Sequence, residues 1–222
     1  MSELADWTTR PTPGLQSLNG RRIRLEPLDW ARHAATLFSA VGGPANEALW
    51  RWMPSGPFMT PGSLGDMLAS SAARQGWRTL VMRADPSADV LGMASYMRIR
   101  EDHGSAEIGC VVLGSRLQRT REATEALALM ARHVFDLGYR RYEWKCHQAN
   151  LASQRAAERF GFTREGVFRN DMVVKGGSRD TVWYSVIDRE WPAINAALTD
   201  WLSDENFTAD GRQKRTLASL RR

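Results

Sequence analysis

The 222-residue chain has only two cysteines, Cys110 and Cys146, with neither Cys-x-x-Cys spacing nor histidines at zinc-ligand intervals. It contains no His-Glu-x-x-His and no Gly-x-x-x-x-Gly-Lys-Ser/Thr, which removes the usual signals for zinc hydrolysis and for P-loop nucleotide binding. No stretch of about 18 apolar residues occurs, so no spanning helix is expected. The first residues, Met-Ser-Glu-Leu-Ala-Asp, are acidic and hold no apolar run, so no signal peptide is expected either. Internal repeats and low-complexity blocks are also missing. Together these absences lead us to expect a cytoplasmic protein with reduced thiols and no metal.

Acidic residues are lacking in one place. Residues 211–222 carry Arg212, Lys214, Arg215, Arg221 and Arg222 with no acid. That segment accounts for the whole formal charge of +5, so the body of the protein is neutral. The segment reads as a solvated, partly disordered tail, and any nucleic-acid contact is expected through it alone.

What is present begins with residues 1–20, an arm carrying Pro11, Pro13, Gly14 and Gly20. A strand follows at Arg22–Glu26, and a helix from Asp29 to about Ala40. Residues 44–76 predict short helical pieces broken by Pro54, Pro57, Pro61 and Gly62. Trp50, Trp52, Met53, Phe58 and Met59 lie among them, as the lining of a pocket or as core and dimer surface. Strands are predicted at Trp77–Ala84, Val90–Arg100 and Ala106–Leu113, with a turn at 85–89. Apolar spacing and Gly138 predict a helix over 121–137. Arg141–His147 alternates as a strand, with Tyr142, Trp144 and Cys146 on one face. Asn150 caps a short helix ending at Phe160-Gly161. Strand material at 162–168, 172–174 and 181–188 precedes a closing helix, Trp191–Leu202. The division is an arm (1–20), a single domain (21–202) and a basic tail (203–222).

The order of elements predicts an α/β sandwich with a β-α-β unit at its centre. Ligands of such sheets bind beyond the carboxyl ends of parallel strands, where helix N-termini point. Two polar helix starts, Gln118–Thr124 and Asn150–Ser153, should therefore face one crevice. The first turn of a helix leaves N–H groups unpaired, and the aligned peptide dipoles favour an anion there. Arg119 and Arg121 add positive charge, or form a solvated helix start. A phosphate-bearing cofactor is the implied ligand.

Three segments carry a family resemblance: Leu18-Asn-Gly-Arg-Arg-Ile-Arg-Leu-Glu-Pro-Leu; Ala106-Glu-Ile-Gly with Leu117-Gln-Arg-Thr-Arg-Glu-Ala-Thr-Glu-Ala; and Asn150-Leu-Ala-Ser…Phe160-Gly-Phe. In this order and spacing they resemble the GNAT (Gcn5-related) N-acetyltransferases, and within them the RimJ/RimL-type alanine acetyltransferases of ribosomal proteins. The resemblance spans residues 20–192. It implies a three-layer α+β sandwich with a mixed, mostly antiparallel sheet, and acetyl-CoA as co-substrate. Arg119 and Arg121 stand where many relatives carry glycine.

The resemblance further implies that the backbone of Val111, Val112 and Leu113 pairs with the pantetheine arm. Gln118, Arg119, Thr120, Arg121, Glu122, Ala123 and Thr124 would hold the pyrophosphate, and Asn150 the pantetheine amide. Many relatives protonate the leaving thiolate with a tyrosine of the second helix. That stretch here has none, and Ser153 resembles the serine of the RimL branch, or is a plain first-turn residue. A primary amine needs a base. Glu107 is the candidate, in register with Gly109 and Val111 and opposite Ile108, Cys110 and Val112; its other reading is an exposed carboxylate or an arginine partner. Glu143 and His147 are alternatives.

The expected reaction is direct acetyl transfer to a protein N-terminus or a small amine. Its alternatives are a non-catalytic acyl-CoA-binding module, or another donor such as succinyl-CoA, for which Arg98 or Arg100 would supply the positive group. A homodimer is possible; a membrane partner is not expected.

Overall fold

Strict alternation in Leu80, Val81 and Met82 sends neighbouring side chains into two different cores, which requires a sheet covered on both faces. The computed structural model describes residues 4–84 and 89–221. It contains eight strands: β1 (Leu18–Asn19), β2 (Ile23–Pro27), β3 (Arg78–Ala84), β4 (Val90–Arg100), β5 (Ser105–Leu113), β6 (Arg141–His147), β7 (Thr163–Val174) and β8 (Gly177–Ile187). They form one sheet in the order β1-β2-β3-β4-β5-β6-β8-β7. Every pairing is antiparallel except β5 with β6, which are joined through a helix. Of the turn expected at 85–89, residues 85–88 lie outside the described residues.

One face is covered by α1 (Trp30–Val41) and α2 (Pro61–Gln75), with a 3-10 helix, Pro44–Trp50, between them. Leu37, Val41, Trp50, Leu64 and Leu68 pack there on Val81, Met93 and Val112. The other face carries α3 (Arg121–Asp136) and α5 (Trp191–Leu202), which bury Ala126, Met130, Val134, Ile194 and Leu198. The shorter α4 (Leu151–Arg159) buries Ala157 in the same core. In residues 44–76 the break expected at Pro54 and Pro57 lies between the 3-10 helix and α2, but Pro61 and Gly62 do not break a helix. Thr60 accepts the Ser63 N–H, and Pro61 sits at the first helical position, where its missing N–H costs nothing, so Pro61-Gly62 begins a single helix.

The basic tail is not a solvated arm. After Leu202 the chain turns through a 3-10 helix, Asp204–Asn206, bridges Phe207 to Gln213, and ends in α6 (Leu217–Leu220). Leu217 is buried in the main core, Trp201 Nε1 donates to Gln213 Oε1 at 2.8 Å, and Arg221 donates to the Glu158 carbonyl at 2.8 Å. Arg212, Lys214 and Arg215 are exposed on the outer side of this segment, so its net charge did not forecast disorder.

Two irregularities shape the centre of the sheet. Ser95 pairs with Gly109 and Met93 with Val112, so Cys110 and Val111 together oppose Ala94. This is a β-bulge, with Cys110 at φ +46°. Alternation inverts across it: Ile108 belongs to the α3 core, whereas Cys110 and Val112 turn to the α1–α2 core and Val111 and Leu113 to the α3 side. The expected grouping of Glu107 with Val111, against Ile108, Cys110 and Val112, is therefore wrong beyond Gly109. A second bulge places Arg98, at φ +45°, beside Glu107.

Candidate active site

The parallel pair β5–β6 is bonded only from Ser105 to Ile108 against Arg141 to Trp144. Beyond that point β5 follows β4 and β6 follows β8, so the two strands part. Their separated ends open into a cleft of about 1160 Å³, lined by Gly109–Leu113, by Lys145–His147 and by the starts of α3 and α4. The cleft thus lies at the carboxyl ends of the parallel strands, as the order of elements requires. Gly109–Leu113 presents to it a backbone edge without a strand partner, able to take an extended amide-bearing chain as an added strand.

On the α3 side, Thr120 caps the helix by accepting the Ala123 N–H at 3.1 Å, while its own hydroxyl donates to the Leu117 carbonyl at 2.7 Å. Arg119 is at φ +61°, in the left-handed region where glycine is the easier residue, and its side chain is exposed at the cleft. The N–H groups of Arg121 and Glu122 have no partner among the described residues, as expected for a first turn. On the α4 side, Asn150 Oδ1 accepts the Ser153 N–H at 3.1 Å, leaving its Nδ2 amide for a ligand.

Glu107, on β5, also lines the cleft and is 1% exposed. Arg98 Nε lies 3.2 Å and Lys145 Nζ 3.5 Å from its Oε2. Burial pushes its carboxyl up from the usual 4.5 to about 7, against the pull of Lys145 and Arg98 and with a further push from Glu143. A carboxylate poised near neutral pH and facing a cleft is suited to accept a proton. The other two candidates are engaged. Glu143 is held by Arg98, Arg100 and Arg141 at 3.3, 3.1 and 2.7 Å. His147 Nδ1 accepts the Ala149 N–H, so in its neutral form the proton sits on Nε2 and the ring offers the cleft a donor.

At the start of α4 the Ser153 hydroxyl oxygen accepts Trp144 Nε1–H at 2.9 Å, with the Cys146 thiol beside it. A hydroxyl that already accepts one hydrogen bond is polarised toward donating its own proton.

The family profile described as Acetyltransferase (GNAT) domain matches residues 22–163, more than half of the chain. The chain belongs to the GNAT acetyltransferase family. Solved structures agree. A GCN5-related N-acetyltransferase from Brucella melitensis is 43% identical, with a TM-score of 0.92, covering 98% of this chain and 99% of that one. A GNAT-family protein from Chromobacterium violaceum is 38% identical, with a TM-score of 0.82, over 86% and 96% of the two chains. RimJ of Mycobacterium smegmatis, solved in complex with CoA-disulfide, shares the fold at 20% identity and a TM-score of 0.66, over 80% and 90%. No curated protein matches. The eight-stranded, mostly antiparallel sheet with helices on both faces is the GNAT fold.

Within this GNAT cleft the structure revises several single-residue expectations. Gln118 spends one amide N–H on the loop: Nε2 donates to the Leu113 carbonyl at 2.9 Å and ties the loop to β5, which leaves its second N–H and its Oε1 for a ligand. The Arg121 guanidinium is also committed, to Asp204 at 2.9 Å, to the Leu202 carbonyl at 3.0 Å and over the Phe207 ring at 3.6 Å. It anchors the C-terminal segment through Nη2. Ala123 and Thr124 are buried beneath the helix start, Glu122 is half-buried, and all three line the cleft. The aromatic cluster divides: Trp50 and Phe58 are core, packed edge to face at 4.7 Å, Trp52 and Met53 line the cleft, and Met59 is exposed. Arg98 and Arg100 are ion-paired to Glu107 and Glu143, and neither lines the cleft.

Three contributors were not anticipated. Arg159 lines the cleft beside the α3 start, with Nη1 3.4 Å from Thr124 Oγ1; only its place three residues after Ala156 on α4 hinted at this. Phe207, Gly211 and Gln213 make a wall from the supposed tail. Arg179 enters from β8.

Proposed function

We propose that the protein transfers an acetyl group from acetyl-CoA to a primary amine, both substrates being bound together. The observation that carries this reading is the parted pair β5–β6, with a free strand edge, two helix starts and a buried carboxylate near pH 7 converging on one cleft. These residues fit acetyl-CoA. The Gly109–Leu113 edge, Val111 and Leu113 especially, would hold the pantetheine amides together with Asn150 Nδ2. The N–H groups of Arg121 and Glu122, with the Arg119 guanidinium, would hold the pyrophosphate. The thioester supplies the activated acyl group.

What the protein adds is proton traffic and exclusion of water. Glu107, ionised in part at neutral pH, takes the proton from an incoming ammonium, directly or through one water. An α-amine, with a pKa near 7.7–8.0, is released more easily than a lysine amine near 10.4. The Ser153 hydroxyl gives its proton to the departing sulfur. Trp52 and Met53 cover the acceptor end with apolar surface, and the Lys175 ammonium at the tip of the β7–β8 hairpin donates to the Trp50 carbonyl at 2.8 Å, closing that side.

A protein N-terminus of the RimJ/RimL type is the acceptor we favour, since the fold is shared with a Salmonella typhimurium acetyl transferase that modifies the N-terminal serine of ribosomal protein L7/L12. Two free thiols suit a reducing, cytoplasmic setting. Calorimetry with acetyl-CoA, on the wild type and on Arg119→Ala, tests the cofactor seat. Micromolar binding that weakens in the variant supports it; no binding of acetyl-CoA to the wild type refutes the enzyme reading.

A further inference from the structure

Arg179 is 5% exposed and lines the cleft. It lies on β8, two residues before Thr181 and four before Trp183, so its side chain shares the face of Lys145 and His147 on the neighbouring strand. Nε donates to Thr181 Oγ1 at 3.1 Å, which sets the plane of the guanidinium. The rest of the group has no carboxylate within ion-pair distance among the described residues. The opposing charges it feels, Asp171 and Glu107, act at longer range, and Glu107 is already shared by Arg98 and Lys145. A buried guanidinium is costly unless something meets it with a charge and matched hydrogen bonds. Its fork of N–H groups matches a carboxylate two-to-two.

We propose that Arg179 seats a carboxylate carried by one of the two substrates, at the acceptor end of the cleft. This rests on the acyltransferase reading and changes one of its two substrates, since neither an acetyl group nor a protein α-amine brings a carboxylate. Two sources share the chemistry: the acceptor's own carboxylate, as in a free amino acid, or the terminal carboxylate of a dicarboxylic acyl-CoA. Met172, the register partner of Arg179 across the hairpin, together with Trp52 and His147 at 4.9 Å ring separation, shapes the surrounding pocket. An apolar rim with a single buried cation selects one anionic group and rejects its neutral amide, because the amide leaves the guanidinium unpaired.

Three probes test this on the wild type, Arg179→Gln and Arg179→Lys, each first checked for an unchanged melting transition. The donor arm titrates acetyl-CoA against succinyl-CoA by calorimetry. The acceptor arm follows CoA release from acetyl-CoA with L-amino acids against their carboxamides. The third arm compares thermal stabilisation by sodium succinate and by succinamide. A loss of about tenfold or more in succinyl-CoA affinity in Arg179→Gln, with acetyl-CoA unchanged, supports the seat and assigns it to the donor. A similar loss in kcat/KM for amino acids, with carboxamides unaffected, supports it and assigns it to the acceptor. Stabilisation by succinate that vanishes in Arg179→Gln, in a protein that binds no thioester, keeps the seat and removes the acyltransferase reading. If acetyl-CoA binds but no arm separates carboxylate from amide, the proposal is overturned and the acyltransferase reading stands. Lys at 179 should restore part of any loss, since it keeps the charge without the fork.

Discussion

Glu107→Gln keeps the shape of a protonated carboxyl and removes its ability to ionise. In the unfolded chain this carboxyl loses its proton near 4.5; in the fold burial holds the value at about 7. Below pH 4.5 both states are protonated and the group has no effect on stability. As pH rises through the interval the unfolded chain ionises first, so the wild type loses stability, and the loss is complete above the folded value. A difference of this size corresponds to about 3 kcal/mol by pH 8. Every other titrating group is common to both proteins, so the difference between variant and wild type isolates this one. The gap in unfolding free energy should move in favour of Glu107→Gln by about 3 kcal/mol between pH 4.5 and 8, whatever constant offset comes from leaving Lys145 and Arg98 without their partner. Urea unfolding at matched ionic strength across that range measures it. The activity should move the opposite way. The wild-type kcat/KM should fall off on the acid side with a midpoint near 7, and Glu107→Gln should lose that limb along with a factor of about 10² to 10⁴ in rate. A pH-independent stability gap would refute the buried, neutral-poised carboxyl; an acid limb that survives in the variant would refute Glu107 as the base.

Ser153→Ala removes a hydroxyl proton and leaves Trp144 Nε1 unpaired; we expect kcat to fall by about tenfold or more while acetyl-CoA affinity, by calorimetry, changes little. Arg119→Ala should weaken acetyl-CoA binding with no change in melting temperature. Arg121→Ala should instead lower the melting temperature, because it releases Asp204 and Phe207, so scanning calorimetry distinguishes two neighbouring arginines of like charge. Removal of residues 203–222 uncovers the Leu217 and Trp201 contacts and one wall of the cleft; both stability and acetyl-CoA affinity should drop, whereas a solvated tail would leave both unchanged.

Wherever periodicity is local and unbroken, the sequence was enough to place an element. Val90–Arg100 and Trp191–Leu202 have the predicted ends, and α3 stops one residue short of its predicted end. The two polar helix starts do line one cleft, because a β-α-β order leaves them no other side. Proline misled at 61, where its position after a threonine cap starts a helix. A bulge is a one-residue insertion opposite another strand, so the inversion at Cys110 leaves no trace in the alternation of a single segment. The same holds for the hairpin of β7 and β8. Lys175-Gly176, both at positive φ, make its tight turn, but the register that sets Met172 against Arg179 depends on the wide bulge around Asn170. Arg179 falls between the strands predicted at 172–174 and 181–188, and only the tertiary fold shows it buried on β8 with no carboxylate in ion-pair reach among the described residues. The charge of the tail points to a solvated arm, whereas its three large apolar residues, Phe207, Leu217 and Leu220, decide where it lies.

The wall contributed by Phe207, Gly211 and Gln213 has a consequence for occupancy. Residues 208–216 are exposed and bury no apolar side chain; hydrogen bonds of Gln213, Lys214 and Arg215 to Trp201, Glu205 and Asn206 hold them down, the profile of a segment that opens more easily than the core beneath it. A ligand that touches this wall binds only the closed form, so filling the cleft must suppress opening by the same free energy that opening takes from binding. Protease cleavage after Lys214 or Arg215 then becomes a clock for the cofactor. It runs fast in the empty protein, slows as the cleft fills, and yields a dissociation constant without an acceptor in hand.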